Sequence, residues 1–225
     1  MENRHYTSQY GQDKIIDTIC KSNLPYREPG VFIEVGAYNG VTFSNTYFLE
    51  KMRDWIGIII EPIPAISLET SMNRWCDVFQ GCIYNKDGLI DFLHINGCSE
   101  MLSGISEAYH PQYSQYLDKE IRNHNQKTEL ISVPCKTLSS LVKEYELSHI
   151  DYLSLDTQTS ELSILQNYDG ITPKCISIDT NGCNETEIKK WFTDHNYNLI
   201  FKFPNTNEHI YINYEISWSW EAHVR

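Results

Sequence analysis

Two hydrophobic patterns alternate along the chain. Short, largely β-branched apolar runs recur at Val31–Val35, Trp55–Ile60, Val78–Tyr84, Leu89–Ile95, Leu130–Cys135, Ile150–Leu155 and Cys175–Ile178. The run Trp55–Ile60 is too uniformly apolar to leave one face in water, which marks a strand covered on both sides. Between the runs, amphipathic spacing predicts a helix over Thr42–Arg53, through Phe43, Tyr47 and Met52. Another starts at Pro64, a residue suited to a first helical position, with Ala65, Leu68, Met72 and Trp75 on one face. Further helices are predicted at Leu138–Tyr145, Glu161–Asn167 and Glu185–His195, and closing strands at Asn198–Phe203 and His209–Asn213. Pro204-Asn205-Thr206-Asn207 joins those last strands tightly enough for a hairpin, and Lys86-Asp87-Gly88 turns the chain into Leu89–Ile95. The alternation predicts an α/β fold: a mostly parallel, doubly wound sheet with an antiparallel edge hairpin.

Residues 97–127 break this rhythm. They are polar, rich in Tyr, His and Ser, carry no strand run and exceed ordinary loop length. They read as a lid-like insertion in one domain spanning 1–225, since at roughly 150 residues per domain the length suits one generous unit.

Composition narrows the function classes. Hydrophobic residues are 41% and charged residues 21%, an ordinary globular balance. The formal net charge of −12 disfavours non-specific contact with nucleic acid or anionic lipid. No apolar run is long enough to span a bilayer, and Met1-Glu2-Asn3-Arg4-His5 lacks the apolar stretch of a signal peptide. The expectation is a soluble, cytoplasmic protein. The seven cysteines form no Cys-x-x-Cys pair, so they read as reduced thiols, with Cys82, Cys135 and Cys175 acting as small hydrophobes in strand-like runs. The eight histidines show no zinc spacing, and the Asn184 sequon carries no weight without an export signal.

In doubly wound sheets ligands sit at the carboxyl ends of strands. The first strand ends in Glu34-Val35-Gly36-Ala37-Tyr38-Asn39-Gly40, whose flanking glycines allow backbone amides to approach a ligand. Twenty-one residues beyond Gly40, Glu61 closes the second strand, where a carboxylate can accept two hydrogen bonds from a ribose diol.

These residues, together with Ser8-Gln9-Tyr10-Gly11-Gln12-Asp13, Ser44-Asn45-Thr46, Leu49-Glu50-Lys51 and Ile60-Glu61-Pro62, resemble the FkbM-type S-adenosylmethionine-dependent methyltransferases. The match holds over residues 8–64 and continues weakly through Asp87-Gly88, Ser103-Gly104, Asp151–Leu165 and Ile176–Asn181. It implies a Rossmann-like class I methyltransferase fold and, usually, O-methylation of a hydroxyl. It also implies that S-adenosylmethionine is bound by Glu34, Gly36, Ala37, Tyr38, Gly40, Glu61, Pro62, Cys82 and Ile83. Gly36 and Gly40 would line the methionine part, Glu61 would lie at the ribose, and Cys82 and Ile83 would flank the adenine. The family's D-x-E-G-x-E-x-x-x-L pattern reads here Asp156-Thr157-Gln158-Thr159-Ser160-Glu161-Leu162-Ser163-Ile164-Leu165, so its inner Glu is Gln158 and its Gly is Thr159. That departure leaves open ordinary activity on other groups, a retuned site, or lost catalysis.

An aliphatic hydroxyl needs a base, or a cation that lowers its pKa. Asp156 is the first candidate base, and His110 in the insertion the second, ahead of His94, His124 and His149. Asp156, Asp179 and Asn181 form a hard-oxygen set suited to Mg²⁺, a reading ranked below a metal-free base, with helix capping as the bland alternative. Tyr109, Tyr113 and Tyr116 could stack on substrate or pack the lid down, and Trp218-Ser219-Trp220 reads as an edge or dimer contact. The leading function is O-methylation of a small molecule or glycan. The alternatives are an RNA 2′-O-methyltransferase, disfavoured by the charge and by Asp179, and a non-catalytic domain that binds the cofactor. A homodimer is left open.

Overall fold

The computed structural model describes residues 5–23 and 29–215; the Trp218-Ser219-Trp220 expectation lies outside the described residues. Seven strands form the main sheet: β1 (Val31–Val35), β2 (Ile56–Glu61), β3 (Asp77–Gln80), β8 (Tyr152–Leu155), β9 (Cys175–Asp179), β10 (Tyr197–Lys202) and β11 (Glu208–Asn213). Their order is β3-β2-β1-β8-β9-β11-β10. All neighbours pair in parallel except β11, which is antiparallel to both β9 and β10. This is the predicted α/β architecture, with β8 at its centre, β1 beside it and the closing hairpin at one edge.

Alternation along the strands supplies two core faces. Ile33, Val35, Ile58, Ile60, Leu153 and Leu155 pack beneath α5 (Leu138–Glu144), α6 (Glu161–Gln166) and α7 (Glu185–Asp194), through Leu141, Ile164 and Phe192 among others. Phe32, Ile59 and Tyr152 face the other way, against Ile16 of α1 (Gln12–Asn23) and Phe48 and Leu49 of α2 (Tyr47–Arg53). The sheet is thus covered on both sides, as continuous apolar strands require. Among the described residues, no helix is long and apolar enough to cross a membrane.

Five local expectations give way. The helix predicted from Thr42 begins only at Tyr47, because Ser44, Asn45 and Thr46 turn inward to hydrogen-bond the Glu34 carboxylate. The helix α3 (Pro64–Asn73) does start on Pro64, yet it buries Ile66, Ser67 and Thr70 and leaves Leu68, Met72 and Trp75 exposed. The run Val78–Tyr84 is two strands: β3, then β4 (Cys82–Tyr84) in a second sheet. A Cβ on the intervening Gly81 would lie 2.5 Å from the Pro134 carbonyl, so the chain crosses there at backbone contact.

That second sheet has the order β4-β7-β5-β6, with β5 (Gly88–Asn96), β6 (Gly104–Ile105) and β7 (Lys127–Thr137). Leu130–Cys135 therefore leaves the main sheet. Of these residues only Val133 and Cys135 are buried, the half-wet pattern of an antiparallel partner. Residues 97–127 are not strandless loop: they hold β6 and a helix, α4 (Pro111–Asn123), that buries Tyr113 and Leu117.

Candidate functional site

The carboxyl ends of β1, β2, β8 and β9 converge on one cavity of about 480 Å³, roofed by the second sheet and the segment before α4. Here β1 and β8 meet at backbone distance. Gly36 has φ +87, and a Cβ on it would stand 1.9 Å from the Asp156 carbonyl oxygen. Only glycine fits there. The Gly36 amide donates to the Ile60 carbonyl at 3.1 Å and the Asp156 amide to that of Val35 at 3.1 Å, which fixes both strand ends.

Ten of the residues expected from sequence line this cavity: Gly36, Ala37, Tyr38, Glu61, Pro62, Cys82, Ile83, Asp156, Asp179 and Asn181. Three do not. The Glu34 carboxylate lies beneath the turn, taking hydrogen bonds from Ser44 Oγ (2.8 Å) and the Asn45 amide (2.6 Å) with Arg74 at 3.5 Å. Gly40 closes the turn through its amide to Ala37, and its carbonyl accepts from Arg74. His110 is exposed at the start of α4, where its ring nitrogen accepts from the Gln112 amide. Glu34 and Gly40 shape the loop from behind.

At the β2 end, Glu61 is 5% exposed, and one of its oxygens accepts from the Ile63 amide at 2.9 Å. Burial pushes its carboxyl up to about 8. Ile63, Ile66, Cys82, Ile83, Phe92 and Ile105 supply an apolar wall beside it. Tyr38, in the left-handed region at φ 50, hydrogen-bonds Glu100, which also contacts His94 at 3.0 Å.

At the β8–β9–β11 end stand Asp156, Asp179 and Glu208. Burial, then the neighbouring Asp179, Glu208 and Glu161, hold Asp156 well above the usual carboxylate range; burial raises Asp179 and brings Glu208 to about 7. Among the described residues, no group of three His, Cys, Asp or Glu side chains is placed to hold a metal ion.

The two departures within the Asp156 loop have structural jobs. Gln158 and Thr159 both occupy positive φ, 57 and 84. The Gln158 side chain donates to Asp156 at 3.1 Å and accepts from the Tyr113 hydroxyl of α4, while Thr159 Oγ1 donates to the Ala108 carbonyl at 2.8 Å. Together they tie residues 97–127 to the β8 loop, across the edge of the cavity.

Sequence reasoning assigned no site role to Gln9, Tyr10, Phe43, Glu100, Ser103 or Asn205–Glu208, all of which line the cavity. Ser8 bridges to Phe43, and Asp13 holds the Thr7 and Ser8 amides, which brings the N-terminal segment to the mouth. For residues 8–13 and 103 the family resemblance was the available signal; for 205–208 only the strand order reveals the placement.

No curated protein matches the sequence. A solved structure, the precorrin-6y C5,15-methyltransferase of Geobacter metallireducens GS-15, is similar at 9% identity with a TM-score of 0.43, over 94% of this chain and 93% of that one. The family model described as the methyltransferase FkbM domain matches residues 34–200, well over half of the 225. That stretch contains the Gly36 turn, Glu61, the second sheet and the β8 and β9 carboxylates, and the chain belongs to the FkbM methyltransferase family.

Proposed function

We propose that this protein, an S-adenosylmethionine-dependent methyltransferase by family, methylates a hydroxyl on a small molecule or glycan, with Asp156 as general base. The residues suit the cofactor on grounds of their own. Glu61 is a buried carboxylate that faces the cavity and can accept from a ribose diol; the apolar wall beside it suits a flat adenine; the Cβ-free Gly36 suits close backbone approach. When bound, S-adenosylmethionine supplies an electrophilic methyl group on a sulfonium.

The carrying observation is Asp156, half-buried at the end of β8, with its backbone against Gly36 and its carboxyl raised above the usual carboxylate range. A carboxylate lifted toward neutrality is a better base than an exposed one, and a positioned base contributes typically 10²–10⁴-fold. Gln158 holds one Asp156 oxygen at 3.1 Å, which orients the other for the hydroxyl proton. An RNA acceptor is disfavoured because, among the described residues, no Lys, Arg or His is in the cavity's lining.

Transfer of a labelled methyl group from S-adenosylmethionine into a library of polyhydroxylated compounds tests this reading. The expected product is an ether that survives mild base. Asp156→Asn is expected to lower turnover by about 10²–10⁴-fold while affinity for S-adenosylhomocysteine stays within about twofold. EDTA is expected to leave the rate unchanged. A base-labile methyl ester, or full activity in Asp156→Asn, overturns the assignment.

A further inference from the structure

Strand order sorts the cavity's carboxylates by position. Glu61 closes β2, on one side of β1; Asp156, Asp179 and Glu208 lie on the other. Leu155 pairs with Ile178 and Asp179 with Glu208, so the three acids form one row across β8, β9 and β11. At about 4.8 Å per strand, Asp179 and Glu208 stand about 10 and 14 Å from the strand of Gly36, away from the ribose end. They belong to the acceptor half.

The row has no internal counter-charge. Gln158, the Asn181 amide and Gln12 give each acid a neutral donor. Among the described residues, the cavity is lined by five carboxylates, Glu61, Glu100, Asp156, Asp179 and Glu208, and by no Lys, Arg or His, although His94 contacts Glu100 from outside the lining. Three buried acids elsewhere meet cations, Glu50 with Arg74 at 2.5 Å, Asp151 with Lys174 at 2.8 Å and Asp17 with Arg53 at 2.6 Å, while Asp13 and Glu161 are held by neutral donors away from the cavity lining. Glu208 is only 7% exposed, yet it lines the cavity. Tyr10 and Tyr116, 44% and 47% exposed, line the same cavity, and Tyr10 lies close enough to Glu208, Asp179 and Asp156 for their charges, after burial, to raise its hydroxyl.

We propose that Asp179 and Glu208 form a subsite for an ammonium group, so that the acceptor is a hydroxyl compound that also carries a protonated amine. The proposal rests on the methyl-transfer reading of the cavity and narrows its substrate class. The two carboxylates supply the counter-charge, and the tyrosine faces favour an organic cation over bulk water. A hydrated divalent cation can be held by one or two carboxylates but gains nothing from the rings, and it is the alternative that the MgCl₂ titration reads. Asp156, nearest the methyl-donor end, is left free for the hydroxyl.

The test is calorimetry on protein saturated with S-adenosylhomocysteine, using two matched pairs of probes. Glucosamine is compared with N-acetylglucosamine, and ethanolamine with ethylene glycol; MgCl₂ alone is a further titrant. Both ammonium probes are expected to bind at least about tenfold more tightly than their neutral partners. Asp179→Asn and Glu208→Gln are each expected to erase that preference while the melting temperature holds or rises, which separates lost recognition from lost folding. Equal binding of neutral probes, no heat from either ammonium probe up to about 20 mM, or Mg²⁺ binding that both substitutions abolish, overturns the proposal. If S-adenosylhomocysteine itself fails to bind, the underlying methyltransferase reading falls; if it binds and the ammonium probes do not, only the subsite falls.

Discussion

Carboxylates cluster, buried or half-buried, in two regions beside β1, and their surroundings are opposite. Glu34 and Glu50 share Arg74, whose guanidinium also reaches Ser44, Thr46 and the Gly40 carbonyl, while the Trp75 and Cys76 amides donate to Glu50. Burial alone would raise Glu50, yet the charge and hydrogen bond of Arg74 and these two amides outweigh it and leave its carboxyl lowered. Across the Gly36 turn, Glu61, Asp156, Asp179 and Glu208 meet no cation among the described residues, and each is raised. A carboxylate taken from water costs several kcal/mol unless something compensates it. In the first region the protein supplies the compensation and obtains a rigid loop. In the second it is left to whatever enters. Acid content does not separate a scaffold from a binding surface; the source of the counter-charge does.

Arg74→Met should break the contrast most severely, by turning the paired region into an unpaired one. It is expected to destabilise the protein by about 3–5 kcal/mol, read as a fall in the denaturant midpoint. Glu61→Ala addresses the other region. If that carboxylate holds the ribose diol as proposed, its loss should weaken S-adenosylhomocysteine by about 2–4 kcal/mol with little loss of fold stability. An affinity unchanged within about twofold would place the ribose elsewhere.

Titration of the ligand-free protein sharpens the comparison further, because the two regions respond to pH with opposite signs. The raised acids hold protons in the folded state that the unfolded chain has already released. They therefore subtract stability progressively as pH climbs from the ordinary carboxylate range towards about 8, the value for Glu61. Glu50, being lowered, contributes stability above that ordinary range and loses it as pH falls through its folded value. Stability is expected to peak mildly acid, with the melting temperature at pH 6 roughly 5 °C above that at pH 8. A flat profile over that interval would mean that the row is already compensated.

Much of the main sheet was legible because its central strands are buried on both faces. Val31–Val35 and Trp55–Ile60 can be little else. The second sheet was not, because what moves Cys82–Tyr84 out of the main sheet is contact with Pro134, far away in sequence. The helix α4 hid behind polar residues, although Pro111 at its first turn and the Tyr113–Leu117 spacing were there to be read. Glu34 shows the limit most plainly. It begins the motif that carries the family resemblance, yet it faces Arg74, a partner no local pattern assigns to it. Gln158 and Thr159 looked like losses in the motif, and become intelligible only once Tyr113 and Ala108 are beside them.

The strand order also sets a sequence in time. Phe32 pairs with Gly57, 25 residues on, but its other neighbour, Tyr152, is 120 residues away. Closing the longer loop costs roughly 1.4 kcal/mol more entropy, and the intervening chain must first build β3 and the second sheet. Non-local pairings of this kind form late. During synthesis, Gly36, Glu61 and the apolar wall can come together while β9 and the final hairpin are still unmade. The half of the cavity proposed for the adenosyl group is therefore the older half in the life of each molecule, and Asn205–Glu208, among the last residues to arrive, complete the half proposed for the acceptor.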